Sequence, residues 1–341
     1  MTRLKNRFLT LLLMVAVILV ARTHWNATRG SWHRLNSKSL YTYIALTAEA
    51  DSAVLAEASR DIDRYFADFT LHFQNGGPFD EKVAAARVGD TVALDSVEAA
   101  LVCFAAKARE RSDGAIHPGV GNLIREWGLV WGGTPKRPDE AVLARERELL
   151  RELPFEPIGN CERIVMRREG TRLALGAFSK GWAIDRAAER LERAGIENYL
   201  LEVGGDLRCH GHGPRGGPWR LGVRDARRPD TLATVVELCD ALPCAMASSG
   251  GYEKFFVDSA TGEKHHHILD PRTAMSARGA LGTTAFASTA LEADLMATWL
   301  FVAGPEKAAE VVERNPGSAA YVIPEKGEPF FVGAPGAGER K

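Results

Sequence analysis

Residues 176 to 257 limit the fold more than any other stretch, because each short strand-like segment there is cut off by glycine or proline. Strand signals cover 199–203, 219–223, 234–238 and 244–247, and the first of them runs straight into Gly204-Gly205-Asp206. Ser248-Ser249-Gly250-Gly251 reads as a turn before a further strand at 252–257. An amphipathic helix spans 181–194 and stops at Gly195. Upstream, strands are expected at 41–46, 163–166 and 172–175, and helices at 48–69 and 96–111, the second entered through 92–94. Downstream, a helix is expected at 305–314 and a strand at 319–323. Strands and helices mix without strict βαβ alternation. The expectation is therefore an α+β fold, with mixed, mainly antiparallel sheets packed against helices. Neither GxGxxG nor GxxxxGK[ST] occurs, which removes the Rossmann and Walker readings.

The 341 residues allow one large domain or two ordinary ones, and 45% hydrophobic with 26% charged residues is ample for a core. A net charge of −1 gives no global field for nucleic acid. Five cysteines in no CxxC spacing exclude a zinc ribbon and a disulfide scaffold; one local bridge is allowed, and the odd count leaves a thiol over. Arg3, Lys5 and Arg7 precede a largely apolar run at 8–21, which reads as a signal peptide or signal anchor over 1–21. A linker at 22–39, a single domain at 40–325 and a disordered tail at 326–341 complete the expected organisation. The order of charge places the body of the protein outside the cytoplasm, in the periplasm or on the outer face of the inner membrane.

Chemistry concentrates in three places. Asp294 and Thr298 lie four residues apart on a helix-like run, one turn apart on one face. Both carry oxygen ligands suited to a hard cation such as Mg2+. Their neighbours Leu295, Met296, Trp299, Leu300 and Phe301 imply burial, and a buried carboxylate needs a partner or a cation. Lys180 opens a helix, where the dipole disfavours positive charge unless an anion binds there. His265, His266 and His267 alternate faces in an extended segment, so one of them as a general base is more plausible than three on one ion. Alone, each feature also fits an ordinary turn, helix face or solvated run.

In order along the chain, 176–185 (GAFSKGWAID), 195–211 (GIENYLLEVGGDLRCHG), 248–255 (SSGGYEKF), 266–273 (HHILDPRT) and 293–298 (ADLMAT) resemble the FAD:protein FMN transferase family, often called ApbE. Residues 112–128 resemble the family segment that ends in Trp-Gly. The resemblance implies that FAD is the substrate and Mg2+ the cofactor. FMN would move to a threonine or serine of an acceptor flavoprotein subunit, releasing AMP. Asp294, Thr298 and the carbonyl of Ala177 would hold the metal. Lys180, Ala115, Ile116, His117 and Ile268 would line the FAD site, and His267 would be the catalytic base. The chain departs from the family at His117 (usually aspartate), at Ala174 (usually near an acidic residue) and at Ala274-Met275-Ser276 (usually Gly-Tyr-Pro). These departures keep two alternatives open: a non-catalytic flavin-binding or assembly protein, and an FAD pyrophosphatase giving FMN and AMP.

Overall fold

The computed structural model describes residues 31–333, apart from 131, 229, 241, 253 and 260. The basic and apolar segment at 1–21 lies outside the described residues. Among those described, no helix is long and apolar enough to cross a membrane.

An eight-stranded sheet organises the chain. Its strands are β1 (Ser31–Ser39), β2 (Thr42–Ala50), β3 (Tyr199–Val203), β4 (Asp206–His210), β5 (Ala245–Gly250), β6 (Ala280–Ala287), β7 (Ala319–Pro324) and β8 (Phe330–Val332). They lie side by side in that order, and every neighbouring pair is antiparallel. Sequence order thus survives as spatial order, and everything between strands is insertion. This is the expected α+β class, with smaller antiparallel sheets beside the large one.

Side-chain alternation gives the sheet two different faces. Ala245, Ala247, Ala285, Ala287, Ala320 and Val322 point to one side, while Met246, Phe286, Ala319, Tyr321 and Ile323 point to the other. The alanine face lets helices approach closely. Against it pack α1 (Ser52–Phe73), α3 (Ser179–Arg193) and α4 (Ala290–Ala303), while α2 (Ser96–Arg111) joins the same core. The bulky face is covered by a hairpin of Trp219–Arg224 and Leu232–Leu238, through Trp219, Val223, Val236 and Leu238. Asp51 caps α1, and Asp95 with Glu98 forms a capping box on α2. Thr289 caps α4, but α3 has no capping side chain of its own.

Several expectations change. The expected linker at 22–39 is in part β1: residues 31–39 pair along their full length with β2. The strand is polar because it is an edge with no buried face, so no apolar alternation marks it. Ser248, Ser249 and Gly250 are not a turn but the end of β5, paired with Thr284, Thr283 and Gly282. Residues 172–175 form no strand, since Arg172 N–H goes to Asn122 Oδ1 and Ala174 N–H to the Pro118 carbonyl. β6 (ALGTTAFA) carries no sequence signal of a strand because its apolar positions are mostly alanine and glycine. Within the expected tail at 326–341, residues 330–332 form β8, and 334–341 lie outside the described residues.

Four of the five cysteines are paired, Cys103 with Cys161 and Cys239 with Cys244, leaving Cys209 as a buried free thiol. Cys103–Cys161 ties α2 to the turn before Arg163–Met166 across 58 residues. Closing a loop of that length constrains the unfolded chain by about 4 kcal/mol. The double variant Cys103→Ser/Cys161→Ser is expected to lose stability of that order in urea unfolding, with an unchanged far-UV spectrum. An unshifted midpoint would show that the crosslink is irrelevant to stability.

Candidate active site

The site sits where α3 and α4 cap one another. Asp185 of α3 accepts the N–H groups of Ala290 and Leu291, both at 2.9 Å, at the start of α4. In return Asp294 of α4 accepts the Gly181 N–H at 2.9 Å, at the start of α3. Each helix thus supplies the carboxylate that the other's unsatisfied first turn requires. Arg208 of β4 neutralises Asp185 at 2.7 Å. Gly181 is the only residue type that fits the crossing, because a Cβ there would lie 2.2 Å from the Ala290 carbonyl oxygen.

Asp294 has no arginine of its own. It is buried among alanines and aromatic residues. Burial, then the negative charge of Asp206, push its carboxyl up to about 7, against the opposing pull of Lys180 and the Gly181 N–H. Lys180 Nζ lies 2.7 Å from Asp206 Oδ2, and Asp206 Oδ1 accepts the Ser248 N–H at 3.1 Å. The site therefore pairs one buried carboxylate, Asp206, with the Lys180 ammonium and holds a second, Asp294, within range of both charges. One turn along α4 from Asp294, the Thr298 hydroxyl lies 3.3 Å from Ser249 Oγ. Ala177 is half-buried in the turn that leads into α3. The Asp294 carboxylate and the Thr298 hydroxyl are oxygen donors of the type a hard cation such as Mg2+ takes.

The three histidines separate as their alternation requires. His265 is fully buried against Trp127 and Phe256. His266 sets its Nε2 2.9 Å from the Ala277 carbonyl and its ring edge-on to Phe301. His267 is half-buried, and its Nδ1 lies 3.2 Å from the Lys254 carbonyl. A carbonyl only accepts, so Nδ1 carries the proton and Nε2 is the free base. Burial, followed by the charges of Lys254, His266 and Lys180, pushes His267 down to about 4, so it is neutral at pH 7. Lys180 acts electrostatically on both Asp294 and His267, so both lie within range of its charge.

Other expected residues are placed differently. Ile268 is buried in the core beside His267, and Ala115 and Ile116 are core residues as well. His117 turns Nδ1 onto the Gly119 N–H at 3.0 Å and caps a short 3-10 turn. Burial, Arg109 and Arg168 push it down to about 3. Ala274 occupies a left-handed position (φ 59°), where glycine is the unstrained choice, and its carbonyl accepts Trp127 Nε1–H at 3.0 Å.

Sequence reasoning missed two parts of the site. Asp206 was legible only as the end of a Gly-Gly turn, yet it is the partner of Lys180. The second part is a groove of about 540 Å3 between the β1–β2 turn and α1, lined by Lys38, Tyr41, Thr42, Tyr43, Leu71 and Gln74. It adjoins the Gly204-Gly205-Asp206 turn: Gly204 N–H donates to the Tyr43 carbonyl, and a Cβ on Gly204 would meet Thr42 Oγ1 at 2.6 Å. Leu40 and Tyr41 both hold left-handed backbones in that turn, a costly geometry for bulky residues. A larger cavity of about 700 Å3, lined by Arg109, Arg147, Arg151 and Arg272 among others, contains none of the Asp294 site residues.

Known proteins share this architecture. The model of the ApbE family matches residues 40–323. The FAD:protein FMN transferase of Haemophilus influenzae is 28% identical over 286 residues, covering 81% of this chain and 78% of that protein. The Escherichia coli K12 protein of the same name is 30% identical over 227 residues, 64% of this chain and 62% of that one. In structure, the ApbE protein of Thermotoga maritima superposes with a TM-score of 0.79 at 26% identity, covering 89% of this chain and 97% of that one. The Pseudomonas stutzeri flavinyl transferase ApbE, at 23% identity and a TM-score of 0.75 over 89% and 94% of the two chains, shares the fold.

Proposed function

The chain belongs to the ApbE family, and from that premise we propose that it is an FAD:protein FMN transferase, moving FMN from FAD to a threonine or serine hydroxyl of an acceptor flavoprotein with Mg2+ and releasing AMP. The observation that carries this reading is the Lys180–Asp206 ion pair at the start of α3, with buried Asp294 and neutral His267 both within range of the Lys180 charge. It offers a cation seat, an anion contact and a base in one place.

Asp294 and Thr298, with the carbonyl of Ala177, would hold Mg2+. The ion, when bound, offsets pyrophosphate charge and polarises the phosphorus under attack. Lys180 binds phosphate oxygen from the start of α3. The groove lined by Tyr41 and Tyr43 has the size and aromatic wall for a flavin ring. His267 Nε2 accepts the proton of the acceptor hydroxyl as the oxygen bonds to the FMN phosphorus, and the bond to the AMP phosphate oxygen breaks. Two disulfides support export, since such bonds persist in oxidising compartments. Tethering through the segment at 1–21 belongs to the same proposal.

The test incubates the protein with FAD, Mg2+ and a recombinant acceptor flavoprotein domain. Covalent flavin is read by in-gel fluorescence and AMP by chromatography. The expected result is equal amounts of labelled acceptor and AMP, with neither from Asp294→Ala. AMP without labelling would mean pyrophosphatase chemistry. Bound FAD with neither product would mean a non-catalytic binder.

A further inference from the structure

The segment that carries His267 also forms an open sheet edge. Phe255–Val257 pairs antiparallel with Lys264–His266, in a ladder of these two strands only among the described residues. Its ends are closed by His267 N–H to the Lys254 carbonyl at 3.1 Å and Asp258 N–H to the Glu263 carbonyl at 2.9 Å. Antiparallel ladders alternate bonded and non-bonded pairs. Phe256 therefore shares the inner bonds with His265, and the N–H and C=O groups of Phe255 and Val257 point outward. No backbone hydrogen bond to another described segment uses them. Phe256 is held against Trp127 and His265, whereas Phe255 and Val257 are 51% and 56% exposed. An exposed apolar edge of this kind is what natural sheets usually cover.

We propose that this edge is the docking strand for the acceptor protein: an extended acceptor segment adds to Phe255–Val257 as a third strand and delivers its hydroxyl residue to His267. The inference rests on the transfer reading, which requires a protein substrate to reach His267. The edge begins one residue from Lys254, whose carbonyl fixes the His267 ring. A segment that runs off the Phe255 end is thus led toward the base. Main-chain pairing accepts varied side chains, and the flanking residues supply selection. Charge does so at this end: Lys254 is exposed, and Lys264 Nζ lies 4.0 Å from the Phe255 ring centre. Together they complement a carboxylate on the incoming segment, and a segment carrying lysine there is disfavoured.

Val257→Pro isolates the idea, because the amide it deletes points outward and is not used in the native ladder; proline is tolerated on edges for that reason. Flavinylation of a recombinant acceptor domain is measured against acceptor concentration at saturating FAD and Mg2+, with FAD affinity read by fluorescence quenching. The expected result is an acceptor KM raised at least about tenfold, with FAD affinity and kcat within about twofold of wild type. In a second experiment, p-benzoylphenylalanine at position 255 is expected to crosslink to residues flanking the labelled hydroxyl. An unchanged acceptor KM, or crosslinks elsewhere on the acceptor, overturns the docking while leaving transfer intact. A Val257→Pro variant that turns a dimer into a monomer at unchanged KM assigns the edge to a second copy, and likewise overturns it. Wild type that labels no acceptor overturns the transfer reading and this occupant together.

Discussion

Gly181→Ala is expected to lower the transfer rate by about 100-fold or more and to reduce stability by about 1–3 kcal/mol. The added methyl meets backbone: its carbon would stand 2.2 Å from the Ala290 oxygen, 2.5 Å from the Ala290 carbonyl carbon and 2.8 Å from Leu291 Cα. No side-chain rotation relieves that contact, so α3 and α4 must separate. Separation stretches three interactions at once, namely Asp294 to the Gly181 N–H and Asp185 to the Ala290 and Leu291 N–H groups. It also moves Lys180 relative to Asp294, so the cation seat and the anion contact lose register together. Gly176→Ala is the control, since a Cβ there meets nothing within 4 Å. Thermal unfolding and the labelling assay read both variants. A Gly181→Ala protein with wild-type Tm and rate would show that the helices have slack at their crossing.

The legible parts of this fold are those with strong local chemistry. Residues 96–111 announce α2 through Ser96 and Glu98 near its start, and 163–166 and 199–203 announce their strands through their apolar residues. The silent parts have their reason for existing elsewhere in the chain. β6 is alanine-rich because α4 must lie close above it, a demand that a local window cannot contain. β1 is polar because it is an edge. The site divides in the same way. The spacing of Asp294 and Thr298 is local and readable, and Lys180 betrays itself by sitting at the wrong end of a helix dipole. Asp206 becomes a partner of Lys180 only when β4 is laid beside β5. His117 enters only through the family resemblance, and in the fold its Nδ1 accepts the Gly119 N–H. Ala274 shows what the departure from Gly-Tyr-Pro entails, a left-handed residue with a methyl group where glycine would carry no strain.

Asp294→Asn is expected to raise the Tm of the Mg2+-free protein at pH 8 while reducing transfer by about 100-fold or more, as loss of the proposed metal ligand should. Asparagine keeps the shape, and its Oδ1 still accepts the Gly181 N–H. It removes a charge that is buried beside Asp206. The sign follows from linkage. Burial raises the folded carboxyl to about 7, above the unfolded value of about 3.9, so between those values the folded state holds the extra proton. Stability contributed by this group therefore falls as pH rises from about 4 to 7, and the deficit persists above 7. The Tm gap between wild type and Asp294→Asn should open over that window and close near pH 4. Mg2+ should reverse the order, stabilising wild type by binding only its folded state and leaving the variant unmoved. A variant that is less stable than wild type without Mg2+ at pH 8, or that still gains Tm from Mg2+, would mean that Asp294 serves the helix cap rather than the cation.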